Sequence, residues 1–208
     1  MSERPGAAQL ARAAELLASG RVVGVPTDTV YGLAVDPRHE SAVASLFALK
    51  GRPEAVALPV LIADPADAAL LATVDERASA LFARYWPGHL TVVLRRRPGA
   101  ALHLGGDPDS IGLRCPAHLL TRKLIGLAGP LAVTSANRHG GAPARSAADV
   151  DALFGRALEL VVDGGRCDGE PSTVVSLLGD GGGGDGLDCL RQGAILMEEI
   201  RRLMTEVV

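Results

Sequence analysis

The sequence has few cysteines, few aromatic residues and no long apolar run, and each shortage excludes a class of protein. The three cysteines, Cys115, Cys167 and Cys189, are widely spaced without a CxxC pair, which argues against a disulfide framework or a zinc site. No apolar stretch approaches the ~20 residues of a membrane span. Charged residues in the N-terminal segment predict an amphipathic helix rather than a secretory signal. We therefore expect a cytoplasmic protein with no membrane partner.

Positive charge is not in excess either. The net charge is −3, which does not favour bulk binding of nucleic acid. Aromatic residues make up 3% and hydrophobic residues 48% of the 208 residues, so an aliphatic core of one domain is expected. Lysine is rare, because Lys50 and Lys123 are the only lysines among 21 basic residues. A lysine in a loop is therefore a candidate for a specific role, although chance also explains it.

Apolar periodicity alternates between strand-type runs and helical stretches. The predicted strands are 21–26, 58–63, 90–95, 111–114, 131–134, 160–163, 173–178 and 187–191. The predicted helices are 9–18, 37–49, 65–72, 76–85, 117–127, 147–154 and 197–204. We predict a single α/β domain with a twisted, mixed parallel/antiparallel sheet flanked by helices.

Some boundaries carry specific signals. Asp36 and Asp64 each precede a proline and are predicted to cap helices, and Ser146 with Asp149 has the spacing of a capping box. The glycine-rich segment 179–186 lacks the Lys-Ser/Thr of a phosphate loop, so we interpret it as a flexible hairpin connection.

Polar stretches stand where predicted elements end, which is where α/β folds usually place ligands. Segment 26–33 carries two threonines and an acid, which fits a turn and a hydroxyl site equally well. Lys50 and Arg52 follow a helix, where they would either complement its C-terminus or bind a polyphosphate. Arg114 within a strand is either an exposed edge residue or grips a carboxylate.

Two further polar stretches follow later strands. Ser135 and Asn137 fit a turn or a site on a rigid support, while a serine hydrolase with His139 as base is disfavoured because no GxSxG elbow is present. Ser172 and Arg191 flank the last hairpin and add a hydroxyl and a cation. Walker, HExxH and GxGxxG motifs are absent from the sequence, so ATP would be bound by neither common nucleotide loop.

Together and in this order, these motifs resemble the YrdC (threonylcarbamoyl-AMP synthase) family over roughly residues 7–194. The matching segments are PTDTVYGL, KGRP, YWPGHLTVVL, IGLRCP, SAN, PSTVV and LRQGAI. The resemblance implies a twisted α/β sheet with a large concave, positively charged cavity. It implies a YrdC-like catalytic domain over 7–195 and a C-terminal helix over 196–208. Because the chain stops soon after LRQGAI, it resembles the short, single-domain form.

The resemblance also implies roles for individual residues. It makes four residues catalytic: Lys50, Arg52, Ser135 and Asn137. It assigns six residues to ATP: Lys50, Arg52, Ser110, Asn137, Arg145 and Arg191. It assigns four residues to L-threonine: Thr29, Arg114, Ser135 and Ser172. No protein ligand for a metal is assigned, and Mg2+ would be held largely by the phosphates.

This chain departs from longer relatives at three positions. Val56 and Leu61 stand where those relatives carry an asparagine and a histidine, and His139 stands where serine is common. Some substrate contacts must therefore differ, and Val56 and Leu61 are left out of the expected site.

The implied activity is that of an L-threonylcarbamoyladenylate synthase, a nucleotidyltransferase. It condenses L-threonine, bicarbonate or CO2 and ATP to threonylcarbamoyl-AMP and pyrophosphate, for threonylcarbamoyladenosine modification of tRNA. Downstream tRNA threonylcarbamoyl-transferase proteins are implied partners, and direct contact with tRNA stays open. Three alternatives remain: a carbamoyl-phosphate-using relative, which would carry extra domains, an RNA-binding module without catalysis, and a divergent homologue without activity.

Overall fold

The computed structural model describes residues 6–51, 53–138, 140–179 and 186–207. The first elements alternate between the two types. They are α1 (Ala7–Ala18), β1 (Val23–Val25), β2 (Gly32–Val35), α2 (Glu40–Lys50), β3 (Val60–Leu61), α3 (Ala68–Leu71) and α4 (Glu76–Tyr85). The later elements are richer in strands. They are β4 (Leu90–Arg95), β5 (Ser110–Arg114), α5 (Leu119–Ala128), β6 (Leu131–Ser135), α6 (Ala147–Phe154), β7 (Thr173–Ser176), β8 (Asp188–Arg191) and α7 (Met197–Val207).

The predicted helix caps are confirmed at two of three places. The Ser146 hydroxyl accepts from the Asp149 amide at 3.1 Å, and the Asp149 carboxylate accepts from the Ser146 amide at 3.0 Å. Asp64 forms the same box before the short 3-10 turn Pro65–Asp67. The prediction for Asp36 was wrong, since α2 begins at Glu40. The Asp36 carboxylate instead accepts from the Arg38 side chain at 2.8 Å, which holds this segment in a turn.

Two strand predictions also fail. Strand β2 (Gly32–Val35) was missed, because its first two residues were interpreted as the end of the polar segment 26–33, although all four are buried. The predicted strand 160–163 forms only an isolated bridge between Val161 and Gly24. Its partner β1 is three residues long, and the chain turns at Gly165 with φ +83°, so the ladder ends at once.

In the described part of the chain, the strands form one mixed sheet of order β1-β2-β6-β3-β5-β4-β7-β8. The pairs β3/β5 and β4/β7 are parallel, and the remaining neighbours are antiparallel. This sheet with its helices confirms the single α/β domain predicted from the sequence.

Strand β5 lies inside the sheet, and its side chains point alternately to the two faces. Ile111 and Leu113 point into the main core on one face and are almost fully buried. Because side chains alternate along a strand, Ser110, Gly112 and Arg114 lie on the opposite face. Helices α1 and α5 pack over this second face near β1, β2, β3 and β6. The rest of that face is left without a helical cover, and the site is formed there.

Candidate functional site

The uncovered face of the sheet forms a cavity of about 520 Å³. This volume lies within the range of small-molecule sites, about 300–1,000 Å³. Strands β3 to β8 contribute to its floor and walls, together with the segment that precedes β2. None of its described lining residues is an Asp or Glu, whereas Arg114 and Arg191 both line it. The cavity therefore favours an anionic ligand.

Arg114 is held in one orientation by acceptors of the protein. Its Nε donates to the carbonyl oxygen of Gly88 at 2.9 Å, and its Nη2 donates to Oδ1 of Asp28 at 2.7 Å. Nη1 lies 3.4 Å from the Thr29 hydroxyl. Burial lowers the pKa of Arg114, and the Asp28 carboxylate partly offsets that effect. The guanidinium is thus a fixed fork whose remaining N–H groups are available to a ligand.

Arg191, on the edge strand β8, brings a second guanidinium to the cavity. Its Nη2 donates to the Ser172 carbonyl at 2.8 Å and to the Ser172 hydroxyl at 3.0 Å. The Ser172 hydroxyl also lies 3.0 Å from the Thr91 hydroxyl. Partial desolvation of its guanidinium at the cavity wall lowers the pKa of Arg191, although the residue as a whole is exposed, and the positive charge of Arg114 lowers it further. The two positive charges disfavour each other, and an anion bound near both of them would relieve this repulsion.

The segment before β2 is both a turn and part of the cavity wall. The Thr27 hydroxyl accepts from the amides of Thr29 and Val30 at 3.1 and 3.2 Å, which closes the turn. It also lies 2.8 Å from the Thr29 hydroxyl, so that hydroxyl is directed towards Arg114. The two interpretations left open by the sequence therefore describe the same structure.

Lys50 connects the end of α2 to the loop after β6. Its ammonium, in a residue only 4% exposed, donates to the Ser135 carbonyl at 2.7 Å and to Oδ1 of Asn137 at 2.8 Å. The Ser135 hydroxyl donates to the same Oδ1 at 2.6 Å. Gly51 follows in the left-handed conformation, which ends the helix at the lysine. Ser135 lines the cavity, whereas Lys50 and Asn137 do not line it and are joined to Ser135 by hydrogen bonds.

The structure brings together most of the residues that the resemblance singled out. Six of them line the one cavity: Thr29, Ser110, Arg114, Ser135, Ser172 and Arg191. Val56 and Leu61, where the resemblance expects an asparagine and a histidine in longer relatives, line it as apolar residues. Arg52 and His139, like segment 180–185, lie outside the described residues.

Arg145 is placed elsewhere. Its side chain is about half exposed, does not line the cavity, and donates from Nη1 to Oδ1 of Asp168 at 3.1 Å. The same carboxylate accepts from Arg166 at 2.8 Å. The expected ATP contact of Arg145 therefore has no counterpart in this arrangement, because a surface acid 23 positions along the chain binds the guanidinium.

Sequence reasoning missed Asp28, the carboxylate that orients Arg114. The available signal was an acid between two threonines directly after a strand, but the sequence analysis gave the acid no role of its own. Among the described residues, Oδ2 of Asp28 is the buried side-chain oxygen without a hydrogen-bond partner. The Nε2 atom of His89 lies 3.7 Å from it and 3.1 Å from the Asp28 carbonyl. Thr91, which contacts Ser172, was missed as well.

Neither a metal cluster nor a membrane span is found among the described residues. These residues contain no group of three or more His, Cys, Asp or Glu side chains able to hold a metal ion. None of the helices described is long and apolar enough to cross a membrane.

Known proteins match most of this chain. The family model named Sua5_yciO_yrdC, described as "Telomere recombination", matches residues 15–193. Threonylcarbamoyl-AMP synthase of Pyrococcus abyssi (strain GE5 / Orsay) is 36% identical over 198 residues, 94% of this chain and 57% of that protein. Threonylcarbamoyl-AMP synthase of Halorhodospira halophila (strain DSM 244 / SL1) is 38% identical over 154 residues, 73% of this chain and 81% of that protein.

A solved structure matches as well. The crystal structure of P. abyssi Sua5 complexed with L-threonine superposes with a TM-score of 0.86 at 34% identity. The match covers 99% of this chain and 60% of that chain. The chain thus spans little more than half the length of the Pyrococcus protein, and the matched part contains the cavity.

The buried ion pair leads to a stability prediction. Asp28→Asn keeps the size of the side chain but leaves the Arg114 guanidinium buried without its carboxylate. We expect the free energy of unfolding to fall by about 3 kcal/mol, because removing one partner of a buried pair leaves an uncompensated charge. Urea unfolding measures this change.

The matched control is Asp168→Asn, which breaks an exposed pair and should cost less than about 1 kcal/mol. Equal changes in the two variants would contradict the role given to Asp28.

Proposed function

Because the chain belongs to the Sua5/YciO/YrdC family, we propose that it is an L-threonylcarbamoyladenylate synthase. In this reaction L-threonine, bicarbonate or CO2 and ATP yield threonylcarbamoyl-AMP and pyrophosphate. The observation that carries the proposal is the cavity itself. Two arginines and several hydroxyl groups line it, and its described lining residues include no carboxylate that would repel the substrates. The threonine complex of the Pyrococcus protein supports the choice of amino acid.

We assign L-threonine to the end of the cavity at Arg114. A carboxylate there would take up the N–H groups of the guanidinium that Asp28 and Gly88 leave available. The hydroxyls of Thr29 and Ser172 would contact the polar atoms of the amino acid. Since both hydroxyls are already held by neighbours, they would bind without much loss of conformational freedom.

We assign ATP to the rest of the floor. Ser110 lines this part of the cavity, Arg191 reaches its edge from β8 while it holds Ser172, and Lys50 acts from behind Ser135 and Asn137. Arg52, which follows Lys50 by two positions, is included on the family resemblance. Arg145 is left out of the proposed contacts, because its guanidinium binds Asp168 at the surface.

The chemistry requires two anions to meet. The deprotonated amine of threonine captures CO2 to form a carbamate, and a carbamate oxygen attacks the α-phosphorus of ATP. The bond from that phosphorus to the bridging oxygen breaks, and pyrophosphate leaves with the electron pair. Fixed cations stabilise the charge that develops on the leaving group, and binding both substrates in one cavity replaces a three-body encounter by a positioned one.

No protein nucleophile is needed for this reaction. Mg2+ enters with ATP as part of the substrate, and the phosphates would hold it, because the described lining residues offer it no carboxylate. The enzyme is a nucleotidyltransferase in this proposal. Its product would pass to tRNA threonylcarbamoyl-transferase proteins in the cytoplasm.

An RNA-binding module without catalysis is the alternative, and it is less well supported. The net charge is −3 and aromatic residues make up only 3% of the chain, whereas stacking and phosphate contacts dominate RNA binding. The cavity also has the dimensions of a small-molecule site.

The direct test is detection of the product by mass. The purified chain is incubated with L-threonine, bicarbonate, ATP and Mg2+, and we expect threonylcarbamoyl-AMP together with pyrophosphate. A reaction without threonine is the control. A salt-dependent affinity for RNA without any turnover of ATP would support the alternative and contradict the proposal.

The two lysines of the chain allow a matched comparison. Lys50→Ala should raise the barrier of threonine-dependent pyrophosphate release by about 2 kcal/mol or more, because it removes a fixed cation behind the phosphate site. Lys123→Ala removes an exposed lysine of α5 and should leave the rate as it is. Unchanged turnover in Lys50→Ala would remove this residue from the mechanism.

Arg114→Ala tests how the substrates are distributed. Calorimetry should show a loss of L-threonine affinity that exceeds the loss of ATP affinity, since the guanidinium is assigned to the amino-acid carboxylate. Arg166→Ala, at an exposed ion pair, serves as the control. Equal losses for the two substrates would contradict the assignment.

A further inference from the structure

Gly112 occupies the middle of the cavity floor, on β5 between Ser110 and Arg114. The backbone does not require glycine there, since its φ lies outside the left-handed region. Packing does not require it either. A Cβ atom at this position would lie 3.7 Å from Cβ of Pro59 and 3.7 Å from Cγ2 of Thr91, which are ordinary contacts.

Gly32, on the same face of the sheet, shows the opposite case. A Cβ atom there would lie 2.6 Å from Cγ1 of Val133, so the contact between β2 and β6 requires a glycine. A glycine inside a strand weakens that strand, because it has no side chain to pack and loses more backbone freedom on folding. At Gly112 this cost has no structural reason among the described residues. What glycine provides there is the open space above the strand.

The register of the sheet locates that space. Gly112 pairs with Val93 of β4, and Arg114 lies two residues further along β5, beside Thr91 and Ser172. Ser110 lies two residues away in the other direction. If the substrates lie as assigned above, the space over Gly112 is where the carbamate of the amino acid meets the α-phosphate of ATP.

We propose that Gly112 is a positioning residue that sets the height of the floor under the reacting groups. This inference rests on the proposed function. A methyl group would raise the floor by about 1.5 Å, the length of one carbon–carbon bond. A misplacement of about 1 Å between reacting groups can cost on the order of a hundredfold in rate. Gly112 therefore limits how closely the two substrates approach each other, without itself touching the bond that forms.

The test uses Gly112→Ala and Gly112→Val. We expect Gly112→Ala to raise the melting temperature of the ligand-free protein by about 2–4 °C, because alanine loses less backbone freedom than glycine on folding. Its kcat should fall on the order of a hundredfold, and that of Gly112→Val should fall further. L-Threonine alone and ATP alone should each bind within about threefold of the wild-type affinity, because each substrate keeps its own end of the cavity.

Gly126→Ala is the matched control. Gly126 is an exposed helical residue of α5 with no atom within 4 Å of an added Cβ, so this substitution should raise the melting temperature without any change in kcat. Comparing the two alanine variants separates the stabilising effect of alanine from the effect on the cavity.

Three results would overturn the inference. A lower melting temperature of ligand-free Gly112→Ala would show that the fold itself requires the glycine. An unchanged kcat would show that the space has no role in the reaction. A loss of affinity for one substrate equal to the loss of kcat would place Gly112 under that substrate rather than between the two.

Failure of the proposed function is distinguishable from these results. If the wild type makes no product, the quantity measured becomes L-threonine binding to protein saturated with an ATP analogue that cannot be cleaved at the α-phosphorus. Weakened binding in Gly112→Ala under saturation, with unchanged binding of each ligand alone, would support the role of Gly112. Unchanged binding under saturation would overturn it.

Discussion

The buried ion pair between Arg114 and Asp28 is the interaction on which the site depends. A lone guanidinium on the floor of a cavity would be costly to desolvate, and a single carboxylate behind the floor reduces that cost without entering the cavity. Arg191 approaches the same region from β8 with no acidic partner among its described contacts. The lining of the cavity thus retains positive charge, which attracts anionic ligands.

The cations of the site are also held still by neutral acceptors. Arg114 donates to the Gly88 carbonyl, Arg191 to the Ser172 carbonyl and Lys50 to the Ser135 carbonyl. Backbone carbonyls fix the direction of these side chains and leave their charge available to a ligand. Groups oriented before the substrate arrives need little reorganisation during the reaction, which is the main source of electrostatic catalysis. The rigid sheet therefore contributes to function as much as the charged residues do.

Much of the architecture could be predicted from apolar patterning, because strands such as β4 and β6 are rich in aliphatic residues and carry a strong signal. Strand β2 was missed because its four buried residues follow a turn rich in hydroxyl groups, and the turn chemistry dominated the interpretation. Asp36 has the sequence context of a helix cap, but its carboxylate accepts from the Arg38 side chain, and α2 begins only at Glu40.

The site was partly predictable for a related reason. Residues on the floor, such as Arg114, are positioned by the strands that carry them. Because these strands and the order of the motifs could be recognised in the sequence, such residues could be assigned to the site. Asp28 and Arg145 depend instead on partners far away in sequence, at separations of 86 and 23 positions. No local pattern indicates that one becomes a buried counter-ion while the other stays at the surface.

Arg191 belongs to the most exposed strand of the site. All four residues of β8 are exposed. In the described part of the sheet, β8 pairs only with β7, and the register of that pair shifts between Val174 and Val175. An edge strand with so few buried contacts can open locally at a small fraction of the global unfolding free energy. Fraying of β8 would withdraw Arg191 from Ser172 and open one side of the cavity while the core stays intact. Strand β8, which carries Arg191, is thus the part of the cavity wall best able to open while the rest of the sheet stays folded.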